Sequence, residues 1–160
     1  MYHTGIEAPQ PQWISDNSVA LISVIILFVW QTIGFNTVLY VAGMQGINEA
    51  LYEAADIDGA GTWKKFRHIT VPMVRPTTVF VVVTTTILAL QMFSEPFMLQ
   101  SPNPPSGPGN STLTPAIYLY QKAFTQFKIG YGSAVAWALF ILIFGITLLY
   151  FRRNSEEDLN

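Results

Sequence analysis

Three stretches of the 160-residue chain carry no charge: between Asp16 and Glu49, between Arg75 and Glu95, and between Lys128 and Arg152. Each is dominated by apolar residues. A helix on a water-soluble core shows a charged face over such a length. A bilayer's hydrocarbon core instead asks for about 20 apolar residues per helix. The pattern predicts an all-α, polytopic transmembrane fold with three spans, roughly residues 19–42, 77–97 and 133–151. The β-branched run TTVFVVVTTTI, residues 77–87, has strand propensity, but the length of the uncharged stretch around it favours a helix.

Residues 45–75 break the pattern with a compact polar insert. Asn48 is placed to cap a short helix over Glu49–Asp58, with Glu49 favourable at its positive end. Leu51, Ala54 and Ala55 share one face of that helix. Gly59 is a natural left-handed stop. Thr62 is placed to cap a second helix over Trp63–Thr70, with Trp63, Phe66 and Ile69 as its apolar side. Pro72 is expected to end it, because the residue before a proline avoids helical geometry. Pro76 suits the first turn of the next span. The insert reads as helix–Gly–helix, hinged at Gly59-Ala60-Gly61. Neither helix is long enough to be stable alone in water, so each needs a surface to pack on.

The segment at 98–130 has a different character. SPNPPSGPGNST, residues 101–112, is rich in turn formers. Thr114-Pro115 opens a helix expected to run through Phe127. Ile117, Tyr120, Phe124 and Phe127 form an aromatic stripe suited to a helix lying on the membrane surface, or to packing against a larger protein. Gly130-Tyr131-Gly132 is read as a break before the third span. Trp13 is placed as an interface anchor.

Composition agrees, with 51% hydrophobic and 11% charged residues, against about 25% charged in ordinary globular domains. Charge also sets orientation, since Lys and Arg favour the cytoplasmic side. Lys64, Lys65, Arg67, Arg75, Arg152 and Arg153 flank the first-to-second connection and the end of the third span. Only Lys122 and Lys128 lie in the 98–130 loop, and residues 1–16 have neither type. The topology is therefore N-out/C-in: the 45–75 loop faces the cytoplasm and the 98–130 loop faces outward. Residues 1–16 lack the basic start and apolar run of a signal peptide. An N-out start of this kind suits the C-terminal part of a longer chain; a small three-span protein inserted N-out is the alternative.

Candidate chemistry narrows the picture by exclusion. The absence of cysteine removes disulfides, thiolate metal sites and cysteine nucleophiles. His3 and His68 are far apart in sequence. DIDGAG fails as a calcium loop: with Gly59 as the obligatory glycine, the first and last ligand positions fall on Ala54 and Lys65. GAGTWK lacks the spacing and preceding strand of a phosphate loop. No catalytic set and no metal set can be assembled, so the chain is not expected to be an enzyme.

Within the spans, Asn36 fits either helix packing or a polar point on a substrate path. Thr84, Thr85 and Thr86 can bond back to their own helix. Gln91 and Glu95 stand out, because a carboxylate at mid-bilayer costs about 2.5–3.5 kcal/mol and marks function. Glu95 precedes Pro96 near the outer end, where an interfacial carboxylate fits equally well. Asn36, Gln91 and Glu95 are the candidate path residues. For the insert, protein docking is the role that remains.

The insert resembles a known pattern. EAADIDGAGTWKKFRHITVPMVRP is similar to the cytoplasmic loop of the membrane subunits of bacterial binding-protein-dependent ABC importers. Its marks are Glu53, Ala54, Ala55, Asp58, Gly59, Ala60, Trp63, Phe66, Ile69, Pro72 and Pro76. GFNTVLYVAGMQGI precedes it as in carbohydrate-type permeases. FSEPFML, GPGNSTLT, IYLYQKAF and GYGSAVAW follow in the expected order. This later set resembles the maltose-, lactose- and glycerol-phosphate-type first permease subunit, over its last three spans. Asn48 stands where the family often has proline, and the outer loop is longer and richer in proline than the usual turn.

The resemblance implies a transport permease subunit of the bacterial inner membrane, carbohydrate type. The loop over residues 53–76 would dock into a cytoplasmic ATPase subunit, which uses ATP and Mg; no cofactor is implied on this chain. The docking residues implied are Glu53, Ala54, Ala55, Asp58, Gly59, Ala60, Trp63, Phe66, Pro72 and Pro76. The partners implied are ATPase subunits, a second permease subunit, an outer solute-binding protein and membrane lipid, with no nucleic acid. The alternatives are an importer of a non-sugar solute, and a membrane adaptor that docks a cytoplasmic partner without forming a path.

Overall fold

The computed structural model describes residues 16–100 and 106–155; Trp13 lies outside them. Every regular element among them is helical. They fall into two compact units. One holds the described residues of Met1–Trp30 and Leu88–Gly145, the other those of Gln31–Ile87 and Ile146–Asn160.

Two helices are long and apolar enough to cross a membrane: Ala20–Gln45 (α1) and the Ile129–Arg152 stretch of α8 (Ile129–Ser155), with mean hydropathy 1.8 and 2.4. A third span results if the bent pair Thr62–Met73 and Arg75–Leu90, joined at 59°, is taken as one. The apolar side chains of α1 and α8 face outward. Trp30, Val38, Trp137 and Leu149 are among the most exposed. So much outward apolar surface would drive association in water. Hydrocarbon accommodates it without cost.

The start of α1 is set by Asp16. Its carboxylate accepts from the Ser18 hydroxyl (2.6 Å) and the Ser18 N–H (2.9 Å). These bonds, the hydroxyl's first, hold its carboxyl below the usual carboxylate range. The Asp16 carbonyl accepts the Ala20 N–H at 2.9 Å.

The middle span departs from expectation. One unbroken helix was expected over 77–97, but the helix α5 is Arg75–Leu90, 16 residues, or about 24 Å at 1.5 Å per residue. The chain then leaves helical geometry at residues 91–93 and resumes as α6, Ser94–Gln100. The break is stabilised from outside the helix. Thr114 Oγ1 donates to the Met92 carbonyl at 2.6 Å, and the same oxygen accepts the Ile117 N–H at 3.2 Å, capping α7 (Pro115–Tyr120). One hydroxyl thus serves two helix ends. Thr114→Ala removes both bonds, with an expected loss of about 1–2 kcal/mol. Thermal unfolding in detergent, compared with Thr114→Ser, checks this: the serine variant keeps the stability and the alanine variant does not.

The outer helix is also shorter than the stripe suggested. α7 continues as a π-turn over Gln121–Thr125. Phe127 then adopts φ 53, outside helical space, while Lys128 N–H bonds back to Lys122 O at 2.9 Å. The stripe is therefore divided. Ile117 is buried, Tyr120 and Phe124 stay in ring contact at 5.5 Å, and Phe127 is turned out of the helix and exposed. The expected glycine break before the third span is not a break. α8 begins at Ile129 and runs through Gly130 and Gly132. Gly132 is there for closeness: a Cβ at that position would stand 2.7 Å from the Ala123 Cβ.

The candidate functional site

The insert between α1 and α5 forms one braced hairpin within its unit. Its first arm is α2, Glu49–Ile57. Asn48 caps it as expected, its side chain accepting the Ala50 N–H at 3.0 Å. The arm ends at Gly59, φ 71. There Gly59 N–H bonds to Asp56 O (3.0 Å) and Ala60 N–H to Ala55 O (2.9 Å). This pair of reverse bonds is the Schellman arrangement, which requires a left-handed residue at the position of Gly59.

The second arm, Thr62–Met73, differs from expectation in two ways. Its N-cap is Gly61 rather than Thr62, with no side-chain cap bond. And it does not stop before Pro72. The turn at Phe66–Thr70 widens to π geometry between α3 (Thr62–Lys65) and α4 (Val71–Met73). A proline inside a regular helix lacks an N–H and collides with the carbonyl four residues back. A wider turn just ahead of it relaxes that conflict, so the helix passes Pro72 and bends only at Val74.

Two bonds tie the arms together. Lys65 Nζ pairs with Asp56 Oδ1 at 2.7 Å, and the hydroxyls of Tyr52 and Thr70 meet at 2.8 Å. Neither pairing was singled out by the sequence. The partners are 9 and 18 positions apart, and no periodicity marks such pairs. The Lys65–Asp56 pair is exposed on its acid side, so it is worth roughly 0.2–1 kcal/mol. Asp56→Ala should lower stability by no more than that, and the difference from wild type should vanish in high salt. Thermal unfolding with and without 1 M salt reads this out.

The surface this hairpin presents is apolar at its tip. Ile57 is 88% exposed and Trp63 73% exposed, and Trp63 stacks on Phe66 at 5.7 Å. Glu53, Ala54, Asp58 and Gly59 are exposed, while Ala55 and Ala60 are half-buried. Pro72 lies near the end of the second arm, and Pro76 in the first turn of α5.

The candidate path residues fall elsewhere. Asn36, on α1, approaches Thr85 Oγ1 of α5 at 3.5 Å, a long contact between helices of its own unit. Thr84 and Thr86 bond back to Phe80 O (2.8 Å) and Val82 O (2.7 Å). Gln91 and Glu95 belong to the other unit, flanking the break after α5. Gln91 is exposed there, and Glu95 is half-buried in the first turn of α6. Beside this break lies an aromatic cluster that the sequence did not reveal. Phe93, Phe97 and Tyr120 have ring centroids 4.9–5.5 Å apart.

Outward-facing apolar helices, with an exposed two-armed loop between α1 and α5, define an all-α integral membrane protein. The chain belongs to the family described as "Binding-protein-dependent transport system inner membrane component", which matches residues 8–159. Among its relatives are the probable ABC transporter permease protein YurN of Bacillus subtilis, 36% identical over 156 residues (96% of this chain, 52% of YurN). The sulfoquinovosyl glycerol transport system permease protein SmoG of Agrobacterium fabrum is 38% identical over 146 residues (91% and 46%). The arabinooligosaccharides transport system permease protein AraP of Bacillus subtilis is 39% identical over 149 residues (93% and 46%). The chain thus spans about half the length of these relatives. Its fold matches that of a chain in a bacterial ABC transporter involved in the import of the acidic polysaccharide alginate, with a TM-score of 0.78 at 22% identity, over 90% of this chain and 49% of that one.

Proposed function

We propose that the chain supplies the membrane helices of a sugar-importing ABC permease, and that its 53–76 loop is the point where a cytoplasmic ATPase acts on them. The observation that carries this reading is the hairpin. It is an exposed apolar tip on a loop braced within itself, and it joins α5 directly at the Val74 bend. A push on the tip is passed to the span rather than absorbed by slack. The family membership and the sugar transport named for SmoG and AraP support the substrate class. In this reading ATP hydrolysis, with its Mg, belongs to the partner ATPase. A second permease subunit and an outer solute-binding protein complete the assembly. In it, the 45–75 loop faces the cytoplasm and the 98–130 loop faces outward. Gln91 and Glu95, beside the aromatic cluster at the outer break, and Asn36 are the path residues in this reading.

The test is co-purification. The full chain, co-expressed with the ATPase subunit of the same organism, should retain it on an affinity column. Replacing residues 53–60 with a Gly/Ser run should release it. Undiminished retention after that replacement overturns the docking assignment.

A further inference from the structure

The two roots of the hairpin meet at one point. Gly43 stands in the last turn of α1 and Thr77 in the first turn of α5. A Cβ on Gly43 would run into Thr77 Oγ1, with Thr77 Cβ at 3.2 Å and Cγ2 at 3.3 Å. All three atoms crowd the same place, so turning χ1 of Thr77 exchanges one collision for another. A glycine is what lets the two helices come this close. We propose that Gly43 and Thr77 form a clasp that fixes the angle at which the hairpin is rooted in the spans, which makes both of them positioning residues for coupling.

The clasp belongs to a ladder. Counted from the tip, its rungs are Asp56 with Lys65, Tyr52 with Thr70, Gly43 with Thr77, and Asn36 with Thr85. Every rung is centred on Ala60 or Gly61, or midway between them. An ion pair, a hydroxyl pair, a steric contact and a long amide-to-hydroxyl contact thus keep one antiparallel register from the turn into the spans.

Both limbs also break at one level. α1 ends at Gln45 and α2 begins at Glu49, while the other limb bends by 59° at Val74. Ile47 and Val74 share the same centre as the rungs. The elbow therefore lies between two of them, Tyr52 with Thr70 on the tip side and Gly43 with Thr77 on the span side. The α5 side of the bend is itself held: Val74 O accepts the Thr78 N–H at 2.9 Å and the Thr78 hydroxyl at 3.0 Å. The first contact beyond the elbow is then what sets the direction of the hairpin. Widening it re-aims the hairpin and leaves the tip's own surface unchanged.

The inference rests on the docking role proposed for the 53–76 loop. Gly43→Ala, Gly34→Ala and the double variant Gly43→Ala with Thr77→Gly are compared in the assembled transporter. ATPase retention, ATP hydrolysis and labelled-solute uptake are measured on each. Alanine is the better helix former at either glycine, and a Cβ on Gly34 meets nothing within 4 Å. Gly34→Ala should leave uptake unchanged. Gly43→Ala should lower uptake about tenfold, with retention and hydrolysis as in wild type. The double variant makes room on the facing helix and should bring uptake back to within about threefold of wild type. Wild-type uptake by Gly43→Ala overturns the proposal. So does an equal loss in Gly34→Ala, or a loss that the double variant leaves unrepaired, since either makes the helix rather than the contact responsible. A fall in ATPase retention that tracks the fall in uptake would place Gly43 in the folding of the docking surface, and overturns it as well. The docking reading fails separately, when the chain with residues 53–60 replaced still retains the ATPase.

Discussion

Gly59→Pro should abolish ATP-driven uptake, by about 100-fold or more, while the protein still inserts in the membrane. Gly59 has φ 71, and a proline ring holds φ near −65°. The substitution also deletes the N–H that bonds to Asp56 O at 3.0 Å. Together these cost on the order of 3 kcal/mol, all of it at the turn between the arms. The spans contain none of the affected bonds, so membrane yield should match wild type. Gly59→Ala is the graded control. Alanine tolerates the left-handed conformation at about 1–2 kcal/mol and keeps the N–H, so uptake should fall only severalfold. The measurement is labelled-solute uptake in vesicles, normalised to protein in the membrane. Wild-type uptake by the proline variant would show that the hairpin's shape is irrelevant to coupling.

Glu53→Lys should leave the hairpin intact and remove its partner. Glu53 is exposed on the middle of α2, and lysine is as good a helix former as glutamate. The free chain should therefore unfold as wild type does. In a docked complex the residue would face a basic group on the ATPase. Breaking one side of a buried ion pair costs about 3–5 kcal/mol, and a reversed charge adds repulsion. The expected result is at least a 100-fold weaker association with the ATPase subunit and a matching loss of uptake. A charge reversal on the ATPase that restores both would identify the paired residue. Normal ATPase-coupled uptake by Glu53→Lys would sink the docking role of this loop.

The sequence made some of this architecture legible and hid the rest for identifiable reasons. Uncharged length was enough to find the spans α1 and α8, because the bilayer imposes a long, simple requirement. Local chemistry was enough to find the Asn48 cap and the Gly59 stop, since both depend on neighbours a few residues away. The middle span was read as continuous because its hydropathy is continuous. Its break depends on Thr114, 22 residues beyond the carbonyl it satisfies. Pro72 and Gly130–Gly132 were read as punctuation by residue type. A widened turn accommodates the first, and close approach to Ala123 explains Gly132 in the second. Of the proposed docking surface, the resemblance implied the residues, but the bonds that tie the arms together (Tyr52 to Thr70, Asp56 to Lys65) have no sequence signature. The arms were expected to need an external surface, and they find part of it in each other.

That mutual bracing has a thermodynamic consequence. Ordering a flexible segment costs about 1–2 kcal/mol per backbone residue, and a loop that folds only on contact loses that amount from its affinity. In this chain the nine residues of α2 already have their shape before contact, so association draws on surface complementarity with little conformational entropy to overcome. In the docking role proposed above, engagement and release would then be fast and reversible, because neither step has to rebuild the loop.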